Sequence, residues 1–410
     1  MLIEFSIENF RSIKEKMTLS MVATKDTSLD GNLIKNALKE DSLLKSAVIY
    51  GANASGKTNV LLALNFLKAL VLNSHNHQKG QSIVFTPFKL DKKCLEKPTK
   101  FHIVFIKKDI KYEYTIAFNK ERIIDEILYY FPNNKKALLF ERNKENYKFT
   151  IDEKDQNFIA KRTLENVLYL SKATQENYEK TAPVLEWFRD ELQFVGPYQP
   201  VFSEEFTINL LNKDKKLKDL ILKALFEADI GIENIDANIK KLDDFPESIP
   251  QEIKSFLANV KAPFKQTDIK TFHKGIQFEF FTEESEGTKR MFSLIGPWID
   301  ALLNGKILVI DELDTKLHHM LNIFLINLFH DTTQNKTNAQ LIFTTHNTNL
   351  LDQDIFRRDQ IWFTEKNAKT GSTDLYSLTE YSPRKDKDIE KGYLSGKYGA
   401  IPFIKENRIF

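Results

Sequence analysis

Apolar and polar residues alternate over residues 2–8 and again over residues 17–21 of the chain. Alternation of this kind places one face of a strand against a core, so the pattern predicts two strands joined by a turn near residues 9–14. A short apolar strand is predicted next at residues 47–50. Leucines then recur at helical spacing, which predicts a helix over residues 57–72.

The middle of the chain carries two different patterns. Residues 101–150 alternate again, with turn residues at Asp109 and at Asn133-Asn134, and this predicts a β-meander. Residues 161–192 and 214–257 are rich in Lys and Glu and are predicted to be helical. They favour an inserted helical subdomain. The sequence shows no sustained heptad run, so a long coiled-coil arm is not expected.

The last third of the chain predicts alternating helices and strands. A β pattern returns between residues 269 and 281. Apolar residues from Met291 to Leu302 then recur at helical spacing, and they are followed by a strand at 307–310, a helix at 317–329 and a strand at 341–345. Such alternation is typical of an α/β fold with a mostly parallel sheet that is covered by helices.

Composition excludes several classes of protein. The 410 residues are 42% hydrophobic and 28% charged, which is typical of a globular protein with a large core. The formal net charge of +2 indicates no global attraction to nucleic acid or membrane. Cys94 is the one cysteine, so a disulfide framework and a cysteine metal site are excluded. No segment resembles a signal peptide or a membrane span, and we expect a cytoplasmic protein.

The segment Gly51–Thr58 fits the P-loop pattern G-x-x-x-x-G-K-[ST] and lies between a predicted strand and a predicted helix. It is called the P-loop below. Its glycines allow backbone N–H groups to close on phosphate oxygens, and the helix N-terminus adds partial positive charge. We expect Lys57 to neutralise the β- and γ-phosphates and Thr58 to ligate Mg²⁺. The predicted nucleotide-binding residues of this segment are Gly51, Asn53, Ala54, Ser55, Gly56, Lys57, Thr58 and Asn59.

Two later strands end in residues that suit phosphate chemistry. Residues 307–310 are followed by Asp311 and Glu312. A buried strand thus delivers two carboxylates at its tip, where Asp311 suits the Mg²⁺ shell and Glu312 suits a general base. The next strand ends at His346, which we expect to contact the γ-phosphate and the attacking water.

A fourth segment, Ser285-Glu-Gly287-Thr-Lys-Arg290, precedes a predicted helix. Ser285 and the amides that follow it suit a helix N-cap that faces an anion. The P-loop already fills the phosphate site of its own chain. The segment is therefore better suited to contact the nucleotide of a second subunit, and an ordinary N-cap is the alternative.

The order of these motifs resembles that of ABC-type ATPases, in the branch that contains SMC, RecF and OLD proteins. The chain also begins, as they do, with a strand followed by Asn9-Phe10-Arg11-Ser12. Its closest resemblance is to the ATPase subunits of bacterial abortive-infection systems of the AbiL, RloA and PARIS type. That likeness is carried by the P-loop, by Glu284–Arg290, by Asp311–His318, by Arg357–Phe363 and by the C-terminal segment Lys391–Pro402.

The resemblance implies a head-to-tail dimer or higher homo-oligomer that encloses ATP. It implies that Ser285 and Gly287 bind the γ-phosphate of the partner subunit, that Asp314 lies at the subunit seam and that His346 acts as a switch. ATP is favoured over GTP by this likeness alone, since a P-loop binds phosphates and not bases. The implied domains are an N-terminal ABC lobe (1–150), a helical insertion (151–265), a C-terminal ABC lobe (266–383) and a tail (384–410).

The leading hypothesis is a regulatory ATPase that controls a partner effector, a nuclease or toxin, during phage infection. A DNA-repair or chromosome ATPase of the RecF or SMC kind, acting on DNA directly, is the alternative, and nucleic-acid binding stays open. A self-contained nuclease is disfavoured because only 64 residues follow His346, too few for a further domain of usual size. A transporter subunit is disfavoured by the β-meander and the insertion.

Overall fold

The computed structural model describes residues 1–37, 39, 41–196, 203–242, 264–381 and 387–402. It divides into two compact units. The first comprises Met1–Phe194, Ala301–Thr315 and Leu325–Phe410, and the second comprises Val195–Asp300 and Lys316–Phe324.

The strands are, in chain order, β1 (Leu2–Glu8), β2 (Met17–Ser20), β3 (Leu33–Ile34), β4 (Leu43–Leu44), β5 (Ser46–Tyr50), β6 (Thr99–Lys107), β7 (Ile110–Phe118), β8 (Ile123–Tyr130), β9 (Ala137–Asn143), β10 (Asn146–Phe149), β11 (Leu192–Val195), β12 (Asn234–Leu242), β13 (Phe264–His273), β14 (Ile276–Glu279), β15 (Ile307–Ile310), β16 (Gln340–Thr344), β17 (Ile361–Lys366) and β18 (Thr373–Ser377). The α-helices are α1 (Lys57–Asn73), α2 (Lys92–Glu96), α3 (Glu153–Ala160), α4 (Tyr169–Gln175), α5 (Ala182–Glu186), α6 (Ser203–Leu211), α7 (Lys215–Glu227), α8 (Phe280–Glu283), α9 (Glu286–Asn304), α10 (His319–His330) and α11 (Ile389–Leu394).

A seven-stranded antiparallel sheet forms one layer of the first unit, in the order β10-β9-β8-β7-β6-β1-β2. The alternation seen in the sequence determines which side chains lie on the apolar face of this sheet. On that face Phe5 of β1 pairs with Leu19 of β2 and with Ile103 of β6. These side chains are buried in one apolar cluster together with Leu64 and Leu67 of α1. The predicted hairpin and β-meander are confirmed.

A six-stranded sheet, in the order β11-β15-β16-β5-β17-β18, forms a second layer of the same unit. Strands β15, β16, β5 and β17 are parallel, and β18 is antiparallel at the edge. Every residue of β5, β15 and β16 is buried, as expected for parallel strands covered on both faces. Strand β16 lies between the P-loop strand β5 and the acid-bearing strand β15. The predicted α/β fold with a mostly parallel sheet is therefore confirmed.

The second unit contains the antiparallel sheet β12-β13-β14. Its helix α7 is amphipathic: Leu217, Ile221 and Leu225 are buried at intervals of four residues. Asp214 caps the helix, because its side chain accepts a hydrogen bond from the backbone N–H of Leu217.

The helical prediction for residues 214–257 is correct over α7 but wrong over β12. Ile235 and Ala237 are buried on alternate positions of β12, opposite Thr271 and Ile269 of β13. Apolar residues recur with period two at Ile235, Ala237 and Ile239, and pairing with β13 decides the conformation. Residues 243–257 of that prediction lie outside the described residues, as do 384–386 and 403–410 of the predicted tail. The domain boundaries drawn from the sequence stay a prediction.

Within the described ranges, we find no helix that combines the length and the apolar character needed to span a membrane.

Candidate functional site

The loop between β5 and α1 is shaped by two glycines and by contacts from the strands beneath it. Gly56, the residue before α1, has φ of 110°, a left-handed conformation that favours glycine. A Cβ atom at Gly56 would lie 2.1 Å from Thr373 Oγ1, so no larger residue fits without displacing β18. The helix α1 therefore begins directly at the loop, and the first amides of a helix, which have no intrahelical partner, are groups that bind anions.

Lys57 is buried at the base of this loop. Its Nζ atom donates hydrogen bonds to Gly51 O at 2.8 Å and to Ala52 O at 3.3 Å. Burial lowers the pKa of Lys57, and the carboxylates of Asp311 and Glu312 act in the opposite direction. A poorly solvated ammonium among carbonyls and carboxylates is poised to take an anionic ligand.

The predicted metal ligands Thr58 and Asp311 contact each other. Thr58 Oγ1 donates to Asp311 Oδ2 at 2.9 Å, and Thr344 Oγ1 donates to Asp311 Oδ1 at 2.6 Å. A carboxylate and a hydroxyl are hard oxygen donors that fit Mg²⁺, which is bound in such sites by few protein ligands together with phosphate oxygens. The described part of the chain contains no cluster of three or more His, Cys, Asp or Glu that would form an all-protein metal cage.

Glu312 follows Asp311 in a conformation that is unfavourable for a residue with a side chain. Its φ is 52°, and its backbone N–H donates to Thr344 Oγ1 at 2.8 Å. Left-handed conformations of this kind are destabilising by about 1–2 kcal/mol for a non-glycine residue and occur preferentially at functional sites. Thr344 thus holds both acids, Asp311 through its carboxylate and Glu312 through its backbone.

His346 lies at the end of β16, next to Asp314. Its backbone N–H is 3.3 Å from Asp314 Oδ1, and Thr345 Oγ1 donates to the same oxygen at 2.7 Å. Partial burial and then the nearby Lys57 ammonium lower the pKa of His346. The imidazole is therefore neutral at pH 7, so one ring nitrogen can accept a hydrogen bond while the other donates.

The remaining predicted residues of the loop differ in exposure. Asn53 and Ala54 are exposed at its tip, whereas Ser55 is buried and shares a hydrogen bond of 2.7 Å with Thr364 Oγ1. Asn59, on the first turn of α1, donates from Nδ2 to Ser12 Oγ at 2.7 Å. The structure thus gathers the P-loop, both acids, Asp314 and His346 at one edge of the parallel sheet.

Ser285 and Gly287 belong to the second unit, where they start α9. Ser285 Oγ accepts from the backbone N–H of Thr288 at 3.0 Å, so the predicted N-cap is present. A Cβ atom at Gly287 would lie 3.4 Å from Lys316 O, which is an ordinary van der Waals contact. Glu286 forms ion pairs with Lys289 and with Lys316. This segment forms the N-terminal turn of α9, where the first amides of a helix have no intrahelical partner.

A cleft of about 650 Å³ lies beside the first half of the P-loop. Its walls include Gly51, Asn53, His346 and Glu365, and the C-terminal segment contributes Tyr393 to the lining. Its volume is within the range of about 300–1,000 Å³ that is usual for small-molecule sites.

Four hydroxyl-bearing residues that contact this site have no role predicted from the sequence. They are Ser12, Thr344, Thr364 and Thr373. A Thr-Thr pair at the end of the strand before His346 was visible in the sequence and could have indicated Thr344. The other three lie 47 to 318 residues from the residues of the P-loop and α1 that they contact, and no local pattern indicates them.

Comparison with known proteins identifies the family. A family model described as "AAA domain, putative AbiEii toxin, Type IV TA system" matches residues 46–352, about three-quarters of the chain. No curated protein matches the sequence.

Solved structures of SMC heads resemble the chain at low identity. The SMC head domain from Thermotoga maritima is 12% identical and gives a TM-score of 0.41, with 92% of this chain and 98% of that chain covered. An SMC head bound to the C-terminal winged-helix domain of ScpA is 14% identical, with a TM-score of 0.44 and coverage of 93% and 99%. A third, from Pyrococcus furiosus and bound to the C-terminal domain of ScpA, is 13% identical, with a TM-score of 0.41 and coverage of 93% and 97%. The family assignment depends on the sequence model alone.

Proposed function

The chain belongs to this AAA-domain family, and on that premise we propose that it is an ABC-type ATPase. It binds Mg²⁺ and ATP at Gly51–Thr58, dimerises head-to-tail around the nucleotide and hydrolyses it to control a partner effector. The observation that carries the proposal is the hydrogen bond of 2.9 Å between Thr58 Oγ1 and Asp311 Oδ2. It joins the P-loop to a carboxylate 253 residues away, at the tip of a buried strand.

In this proposal the P-loop residues bind the phosphates. Lys57 exchanges its carbonyl partners, Gly51 O and Ala52 O, for phosphate oxygens. A hydrogen bond from an ammonium to a charged phosphate is stronger than one to a neutral carbonyl, because both partners are then ionised. Thr58 and Asp311 hold Mg²⁺, which when bound neutralises charge on the transferred phosphoryl group. The exposed loop tip at Asn53 and Ala54 is free to approach the nucleotide.

Glu312 is proposed as the general base. Its exposed carboxylate can accept a proton from a water molecule, and Thr344 fixes the backbone from which it projects. His346 is neutral at pH 7 and contributes a hydrogen bond to the γ-phosphate or to the water without adding charge. The lysine, the base and the histidine together form the proposed catalytic set.

A second copy of the chain is proposed to complete the site. The turn at Ser285–Gly287 offers helical amides and a serine hydroxyl, which suit the γ-phosphate of a partner subunit. Asp314 is held by Thr345 and His346 and is proposed to lie at the seam between subunits. ATP then acts as part of the dimer interface.

The effector is proposed to be a nuclease or toxin that acts during abortive infection by phage. The family description, which names a toxin and a toxin–antitoxin system, supports this class of partner. Dimer formation on ATP binding and dimer release on hydrolysis would give the effector two distinguishable states of the ATPase.

The proposal is tested with Glu312→Gln, which removes the base and keeps the shape of the side chain. We expect this variant to bind ATP, to lose at least about 100-fold in turnover and to accumulate as a dimer in light scattering. The matched control adds Ser285→Arg, which should abolish the dimer and leave binding of ADP unchanged. Normal turnover by Glu312→Gln would refute the role of Glu312, and a dimer that persists in the double variant would refute the shared site.

A further inference from the structure

Four polar residues form a continuous hydrogen-bonded chain beneath the P-loop. Asn59 Nδ2 lies 2.7 Å from Ser12 Oγ, and Ser12 Oγ lies 2.8 Å from Thr373 Oγ1. Thr373 Oγ1 in turn lies 2.7 Å from Ser55 O. This series of hydrogen bonds begins at Asn59 on α1 and ends at the carbonyl of Ser55 in the P-loop. It therefore links the two residues that flank Gly56, Lys57 and Thr58.

The proton positions in this chain follow from donor counting. The Asn59 amide can only donate from Nδ2, and the carbonyl of Ser55 can only accept. Thr373 has one hydroxyl proton, which it gives to Ser55 O, so Ser12 must give its own proton to Thr373 Oγ1. Each hydroxyl then donates once and accepts once, and all donors point from Asn59 toward Ser55.

We propose that Thr373 and Ser12 are positioning residues for nucleotide binding, through the peptide that joins Ser55 to Gly56. This inference rests on the proposed function. A trans peptide is planar, with its carbonyl and its N–H pointing in opposite directions. When Thr373 holds the carbonyl of Ser55 beneath the loop, the N–H of Gly56 is held on the upper side, where it faces the phosphates.

Burial and close packing make this constraint rigid. Thr373 is 3% exposed and also donates its backbone N–H to Ser12 O at 2.8 Å. The missing side chain of Gly56 leaves the space that Thr373 occupies, since a Cβ atom there would lie 2.1 Å from Thr373 Oγ1. The glycine of the motif and the threonine of β18 thus fit each other.

The turn that presents Ser12 is anchored independently. Phe10 packs against Phe66 of α1 with ring centroids 5.7 Å apart and against Phe101 of β6 at 5.6 Å. The backbone N–H of Arg11 donates to Thr86 O at 2.7 Å. Ser12 is therefore fixed relative to α1 whether or not Thr373 is present, and this allows the hydroxyl of Thr373 to be tested alone.

The test measures the Kd of Mg·ADP by calorimetry, because ADP reports on a single subunit. Thr373→Val keeps the shape of the residue and removes the hydroxyl, which leaves Ser55 O without this donor. We expect Kd to rise about tenfold to hundredfold. Thr373→Ser restores the hydroxyl, and its Kd should lie within about threefold of the wild-type value.

Thr181→Val is the matched control for loss of a buried hydroxyl, since Thr181 Oγ1 donates to Tyr178 O and Thr181 is fully buried. Both valine variants are expected to unfold at lower urea concentration than the wild type, and only Thr373→Val should change Kd. Equal Kd values for the two variants would overturn the inference and assign Thr373 a purely structural role.

A double variant tests whether the hydrogen-bonded chain acts as one unit. Ser12→Ala should raise Kd, and Ser12→Ala with Thr373→Val should raise it no more than the worse single variant. Multiplication of the two effects would overturn the linked chain. Lys57→Met separates the two proposals: if it binds Mg·ADP as the wild type does, the nucleotide site itself is wrong. If it loses binding while Thr373→Val does not, only the inference about Thr373 fails.

Discussion

Replacement of Lys57 by methionine should separate nucleotide binding from folding. Methionine keeps the length and most of the volume of the lysine stem and removes the ammonium. In the structure that ammonium is buried, and it donates hydrogen bonds to the backbone carbonyls of Gly51 and Ala52. Burial lowers the pKa of Lys57, so the fold disfavours its charged form. We therefore expect the nucleotide-free variant to be as stable as the wild type or slightly more stable.

The loss of nucleotide affinity should be large. A charge-assisted hydrogen bond contributes about 1.5–3 kcal/mol, so loss of two contacts to phosphate weakens binding by about 3 kcal/mol or more. That corresponds to a Kd about 150-fold higher. At a ligand concentration of about 100 times the wild-type Kd, the nucleotide stabilises the wild type by about 2.7 kcal/mol and the variant by about 0.3 kcal/mol.

Thermal unfolding with and without Mg·ADP measures the difference. At about 1–2 °C per kcal/mol for a chain of 410 residues, the wild-type Tm should rise by about 3–5 °C and that of the variant by less than about 1 °C. Lys45→Met is the control, because Lys45 is also buried and its Nζ also donates to a carbonyl, that of His330. It should retain the full shift. An equal shift in Lys57→Met would refute the assignment of the phosphate site.

Two further predictions concern buried groups outside the site. Burial lowers the pKa of His330 to about 3, against 6.5 when unfolded, so the unfolded state alone gains this proton as the pH falls through that window. The free energy of unfolding, measured by urea titration, should therefore fall by about 2 kcal/mol between pH 6.5 and pH 5. A His330→Gln variant whose unfolding free energy falls equally with pH would contradict this. Glu126 accepts hydrogen bonds from Tyr114 and from the backbone at Tyr169 and lies 3.8 Å from the buried Arg142. Glu126→Ala should destabilise by about 3–5 kcal/mol in urea, whereas the exposed Glu121→Ala should change little, and a loss of less than about 1 kcal/mol for Glu126→Ala would show that the carboxylate does not hold this network.

The local elements around the site follow from short stretches of sequence. A strand, a glycine-rich turn and a helix with leucines at helical spacing are each specified within a few residues, so β5, the P-loop and α1 were predicted closely. The same applies to β15 and the two acids at its tip. Where local signals conflicted, as in the lysine-rich stretch of β12, pairing with a distant strand decided the outcome and the prediction was wrong.

The sequence by itself indicated which residues are candidates for phosphate and metal binding, because the P-loop and the paired acids are contiguous patterns whose spacing has a physical reason. Only the tertiary structure decided how those patterns are held. In the folded sheet β16 lies between β5 and β15, and Thr344 therefore donates a hydrogen bond to Asp311. The tertiary structure also brought β18 beneath the P-loop, where Thr373 fills the space that Gly56 leaves open. Such contacts join residues up to about 360 positions apart, since hydrogen bonds depend on distance in space and leave no periodic trace along the chain.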